Sequence, residues 1–137
     1  QDVMAGIDKM QYMGGGTNTA DAIKYMRSQL FSQNSGARSN VPRIAVVITD
    51  GRSANPTATQ TEADNARVDN IGMVSIGVGG GVDTNELHNI ADQPATQNSF
   101  TVSNYDQLQT IVGQLIQRAC MVRSTAPPRT NQQGGTP

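Results

Sequence analysis

The run Arg43-Ile44-Ala45-Val46-Val47-Ile48-Thr49 limits the fold of this chain more than any other feature. It is apolar without alternation and rich in β-branched residues. A strand with one wet face alternates apolar and polar positions, so an unbroken run reads as a strand of a parallel sheet covered on both faces. Met73-Val74-Ser75-Ile76-Gly77-Val78 is a second run of this kind, and Ser99-Phe100-Thr101-Val102 a shorter third. Parallel strands need crossovers, and helical patterns lie where crossovers should be.

Residues from about Thr19 to Gln33 place Ile23, Met26 and Leu30 on one face. The stretch Ala58 to Asn70 turns Ala63 and Ala66 inward, small enough for close packing of helix on sheet. Asp83 opens a short helix with Glu86 three places on, a capping-box pattern, and Leu87 and Ile90 as its stripe. The last helix, Tyr105 to about Arg118, carries Leu108, Ile111, Val112, Leu115 and Ile116. The opening residues, with Val3, Met4, Ile7 and Met10, also read as helix, and most of the methionines fall at core spacing. This alternation predicts an α/β fold with a parallel sheet and helices on both faces.

At 137 residues the chain is the size of one domain. Residues 123–137, rich in Pro, Gly and Thr and without apolar periodicity, read as a disordered linker. Ten basic and 11 acidic residues give a net charge of −1 with no basic stripe, which argues against nucleic acid as a partner. No stretch approaches the roughly 18 apolar residues of a membrane span, so membrane insertion is not expected. Asn55-Pro56-Thr57 has Pro where an N-glycosylation acceptor forbids it.

Two polar segments carry chemistry. Gly14-Gly15-Gly16-Thr17-Asn18-Thr19 precedes a helix, and Thr49-Asp50-Gly51-Arg52-Ser53 follows the strongest strand. Both belong on the edge outside the carboxyl ends of the strands, where ligands of open α/β sheets bind. The spacing 50 − 17 = 33 fits one helix, a loop and one strand. A Thr17 hydroxyl and an Asp50 carboxylate are oxygen donors suited to a hard divalent cation. Plainer readings exist: Thr17 as a helix-start residue, Asp50-Gly51 as a strand-end turn, and the triple glycine as room for close backbone approach.

Other motifs fail. Gly77-Val78-Gly79-Gly80-Gly81 would need a glycine where Val82 stands to be a dinucleotide fingerprint, and the triple glycine lacks the lysine ending of a phosphate loop. His88, the sole histidine, has no evident partner, and no nucleophile is paired with a base. Cys120, the sole cysteine, is either a small core residue or half of a disulfide.

The segment Gly15 to Ile23, then Val46 to Ser53, Ile76-Gly77-Val78-Gly79, Asp83 to Ala91, Phe100-Thr101-Val102 and Ile116 to Cys120 resemble von Willebrand factor A domains in order, over roughly residues 1–122. The resemblance implies a Rossmann-like, doubly wound parallel sheet lacking its first three strands. It implies a metal-ion-dependent adhesion site in which Thr17 is the threonine and Asp50 the final aspartate. The family's Asp-x-Ser-x-Ser motif is absent from the chain and is expected upstream of Gln1, so the site is incomplete here and cation binding by these residues alone should be weak or absent. Mg²⁺ is the cation expected first, with Mn²⁺ or Ca²⁺ as alternatives. The resemblance also implies a disulfide from Cys120 to an upstream cysteine, a secreted, extracellular setting, and matrix or cell-surface partners such as collagens. An adhesion module and not an enzyme is the leading expectation, and an intracellular A domain serving as an assembly platform is the alternative. With the first strand of such a fold missing, Arg43 to Thr49 becomes an unpaired apolar edge, an aggregation hazard. The chain made alone is therefore expected to self-associate or lose solubility; sedimentation showing a stable monomer would contradict that.

Overall fold

The computed structural model describes residues 2–38 and 40–125. Helix α1 (Asp2–Asp8) leads by a long loop to α2 (Thr19–Tyr25), which widens into a π turn at Met26–Leu30. A 3₁₀ turn (Gln33–Ser35) precedes β1 (Arg43–Thr49), followed by α3 (Pro56–Val68), β2 (Ile71–Val78), α4 (Thr84–Ile90), α5 (Ala95–Asn98) and β3 (Ser99–Val102). A 3₁₀ helix (Tyr105–Ile111) then runs into α6 (Val112–Thr125). The strands form one parallel sheet in the order β1-β2-β3, with Arg43 opposite Ile71 and Ser75 opposite Ser99.

The period of two along β2 divides the core into two layers. Ile71 and Met73 pack with Ile23 of α2, Ala63 and Ala66 of α3, Ala45 of β1 and Ile90 of α4. Ile76 and Val78 face the other way, toward Val102, Phe100, Leu108, Ile111 and Leu115. Helices therefore cover both faces, and every residue of β2 is buried. Ala63 and Ala66 are fully buried. With no side chain beyond a methyl, they let α3 lie close on the sheet. Asn55 fixes where α3 begins, its side chain accepting from the Ala58 amide at 3.0 Å, with Pro56 at the first helical position.

β1 departs from the expectation that both its faces are covered. It is an edge strand, as the resemblance implied, and Val46 and Ile48 are 39% and 50% exposed. They lie on the α6 side, which that helix covers only in part. Leu30 is also exposed, because the π turn at Met26–Leu30 takes more residues per turn and rotates it off the stripe of Ile23 and Met26. Val112 and Ile116 are exposed for the reverse reason: the tighter 3₁₀ coil at Tyr105–Ile111 shifts the phase of α6. Helix α1 buries none of its residues, and Met4, Met10 and Met13 are exposed. Of the methionines with described side chains, Met73 alone is fully buried, and Met26 packs partly against the core. α6 extends to Thr125, past the linker boundary expected at 123, and residues 126–137 lie outside the described part. No described helix is long and apolar enough to cross a membrane.

Candidate functional site

Thr17 and Asp50 meet at one rim of the sheet. Asp50 follows β1 directly, and Thr17 lies two residues before α2. A β-carbon placed on Gly51 would sit 3.7 Å from the Thr17 hydroxyl, and the Ala54 amide donates to the Thr17 carbonyl at 2.9 Å. The two loops are thus in direct contact. Both residues line an open cleft of about 440 Å³, together with Gly16, Thr49 and Tyr105.

Each plainer reading can be compared with the geometry. The N-cap of α2 is Asn18, whose side chain accepts from the Asp21 amide at 3.1 Å, so capping does not occupy Thr17. After β1 there is indeed a tight turn. Thr49 makes it, its hydroxyl accepting from the Gly51 amide at 3.3 Å and donating to the Gly51 carbonyl at 3.1 Å. The turn leaves the Asp50 carboxylate exposed in the cleft. Among the described residues nothing crowds Gly15 or Gly16. Gly14 and Gly15 adopt φ of +68° and +108°, which other residues rarely do. Close approach occurs elsewhere: a β-carbon on Gly81 would lie 3.0 Å from the Asp50 carbonyl oxygen, so the loop after β2 presses on the aspartate's backbone.

The surroundings bring in Tyr105, Asp83 and Glu86, side chains that local sequence patterns did not place here. Tyr105 shares the cleft, and burial, followed by the charge of Asp50, pushes its phenol above the ordinary tyrosine value. Arg52 pairs with Asp83 at 2.9 Å, and this guanidinium, helped by the Glu86 amide, holds the Asp83 carboxyl below the usual carboxylate range. Glu86 is almost wholly buried and accepts from the Ser53 amide at 3.0 Å and from the Ser53 hydroxyl. Thr59 completes that cluster, donating to the Ser53 hydroxyl at 3.0 Å. The capping box at α4 is therefore half formed. Asp83 accepts from the Asn85 and Glu86 amides, while the Glu86 side chain turns to Ser53.

Among the described residues no group of three or more His, Cys, Asp or Glu side chains could cage a metal. One carboxylate and one hydroxyl fit a hard cation that keeps most of its water and takes few protein oxygens. His88 stands outside this rim on α4, and Cys120 is an exposed free thiol on α6, which removes the reading of it as a core residue.

Comparison with known proteins gives a consistent answer. The family model for the von Willebrand factor type A domain matches residues 1–114. Matrilin-1 of Gallus gallus is 34% identical over 88% of the chain and 24% of its own length. The collagen alpha-4(VI) chain of Mus musculus is 33% identical over 86% of the chain and 5% of its own length. The chain thus spans a quarter or less of these relatives. Among solved structures, proximal thread matrix protein 1 from the mussel byssus superposes with a TM-score of 0.81 at 28% identity, covering 87% of this chain and 31% of that one. A second structure of it, with zinc in its metal-ion-dependent adhesion site, gives 0.75 at 29% identity over 87% of this chain and 28% of that one.

Proposed function

The chain belongs to the von Willebrand factor type A family, and from that premise we propose that it is a matrix- or cell-adhesion module that binds protein partners through a divalent cation. The observation that carries this reading is the meeting of Thr17 and Asp50 at one rim, in loops joined by the Ala54–Thr17 hydrogen bond, with Asn18 doing the capping. Support also comes from the zinc-bearing adhesion site of the mussel protein.

In this reading Asp50 supplies the negative charge and Thr17 a neutral oxygen; Mg²⁺ is the first choice, Mn²⁺ or Ca²⁺ the alternatives. A bound cation would offer an open coordination position that an acidic group of a partner completes. The Thr49 turn leaves the Asp50 carboxylate exposed in the cleft, beside Tyr105. Charge and geometry do the work, no bond being made or broken, so the reading is of a binder and not an enzyme. The setting is extracellular, with collagens or other matrix and cell-surface proteins as partners. In this reading residues 1–122 form the domain, 123–137 are a linker whose first residues continue α6, and Cys120 forms a disulfide with a cysteine upstream of the chain.

The test is surface plasmon resonance over immobilised collagen in MgCl₂ and then in EDTA. A weak response at high MgCl₂ that disappears in EDTA and returns with Mg²⁺ or Mn²⁺ is expected. Equal binding in both buffers would remove cation dependence from the reading.

A further inference from the structure

Glu86 is a buried carboxylate with no role in the proposed cation set, and what it touches is the loop that carries Asp50. Its oxygens accept from the Ser53 amide and the Ser53 hydroxyl, and Thr59 donates to that hydroxyl from α3. An ordinary capping-box glutamate would spend its carboxylate on its own helix start. Here it reaches 33 positions along the chain. Burying a carboxylate is unfavourable unless hydrogen bonds satisfy it, and here the Ser53 amide and hydroxyl, both from one loop, supply them.

A second tie runs parallel to the first. Arg52, next to Ser53, pairs with Asp83, the N-cap of α4. Ala54, on the other side of Ser53, donates its amide to the Thr17 carbonyl. A continuous path therefore leads from Glu86 through Ser53 and Ala54 to Thr17, and through Arg52 and Gly51 back to Asp50. The loop after β2 closes against the Asp50 carbonyl at Gly81. Both expected donors sit on backbone held from one side by the β2–α4 region.

We propose that Glu86 is a positioning residue for the cation rim: by holding Ser53 it fixes the Asp50 loop and, through Ala54, the Thr17 loop in one mutual register. The proposal rests on the cation reading above for its functional consequence. Its structural content stands on the Ser53 and Ala54 amides alone.

The test uses the full 137-residue chain and two readouts. Amide hydrogen exchange followed by NMR reports the loop, and line broadening by added Mn²⁺ reports the rim. In Glu86→Ala, exchange at Ser53 and Ala54 should rise at least about tenfold while Val74 and Ile76 of β2 keep their protection. Mn²⁺ affinity should fall about tenfold, in the range for residues that orient a metal ligand without touching the ion. If Glu86→Ala does not fold, Ser53→Ala, which removes the hydroxyl tie and keeps the amide tie, should show a smaller rise confined to the same loop. Unchanged protection at Ser53 and Ala54 would overturn the proposal, and so would a uniform loss that includes β2. If the unsubstituted chain shows no Mn²⁺ broadening near Thr17 and Asp50, the cation reading fails by itself, and the exchange data still decide the latch.

Discussion

Asp50→Ala should abolish the Mn²⁺ broadening around Thr17 and Asp50 while leaving the melting temperature of the chain nearly where it was. Among the described residues Asp50 is the one carboxylate lining this cleft, and the other expected donor, Thr17, is neutral. Removing the only charge from a site with few protein ligands should take binding from about millimolar, the weak end of protein cation sites, to undetectable. Thr17→Ala should weaken it less, since water can replace a hydroxyl but not a charge. The fold should barely respond. Asp50 is exposed, and surface changes of this kind stay within about 0.5 kcal/mol. A titration of Asp50→Ala that matches the unsubstituted chain would show that the cation, if bound, sits elsewhere.

The parts of the fold legible in the sequence are those where local pattern and tertiary environment coincide. β2 reads as buried and is buried at every position; Ala63 and Ala66 read as a contact face and are one. The pattern fails where burial depends on what lies alongside. Val46 and Ile48 look no different in sequence from Val74 and Ile76, yet they sit on an edge strand and are partly exposed. Periodicity also assumes one helical pitch. The π turn at Met26–Leu30 and the 3₁₀ coil at Tyr105–Ile111 break that assumption and displace Leu30, Val112 and Ile116.

The same distinction holds at the rim. Thr17 and Asp50 lie in segments with a local signature, glycines before a helix and an acid after a strand. Glu86 also has a local signature, but it points to the wrong partner: the spacing from Asp83 predicts a bond within α4, and the bond goes to Ser53. Long-range pairs such as Tyr105 with Asp50 leave no trace in any short window of sequence. They become visible only when the sheet has brought the loops together.

Arg67→Ala is expected to destabilise the chain by about 3 kcal/mol, a large share of the roughly 5–15 kcal/mol that holds a domain together. Arg67 lies near the end of α3, and its guanidinium donates to the carbonyls of Asn89, Ile90 and Ala91 at 2.5, 2.7 and 3.2 Å. These close the C-terminal end of α4, where carbonyls lack intrahelical partners and a cation is favoured. The same group pairs with Asp64 at 3.0 Å and lies 3.8 Å from Asp92, whose side chain is 4% exposed. Truncation removes one partner of a buried carboxylate and several charge-assisted bonds together, each worth about 1.5–3 kcal/mol. Asp64→Ala should lose only about 0.5 kcal/mol, because that half of the pair is exposed. Arg67→Lys should fall between, since one ammonium cannot span three carbonyls as a planar fork does. Urea midpoints at constant slope would rank the three variants. The effect should reach the rim as well: α4 carries Asp83 and Glu86, so an α4 loosened at its far end should also raise exchange at Ser53 and Ala54. A large loss of stability with those two amides unchanged would mean that α4 holds the Asp50 loop from its first turn alone.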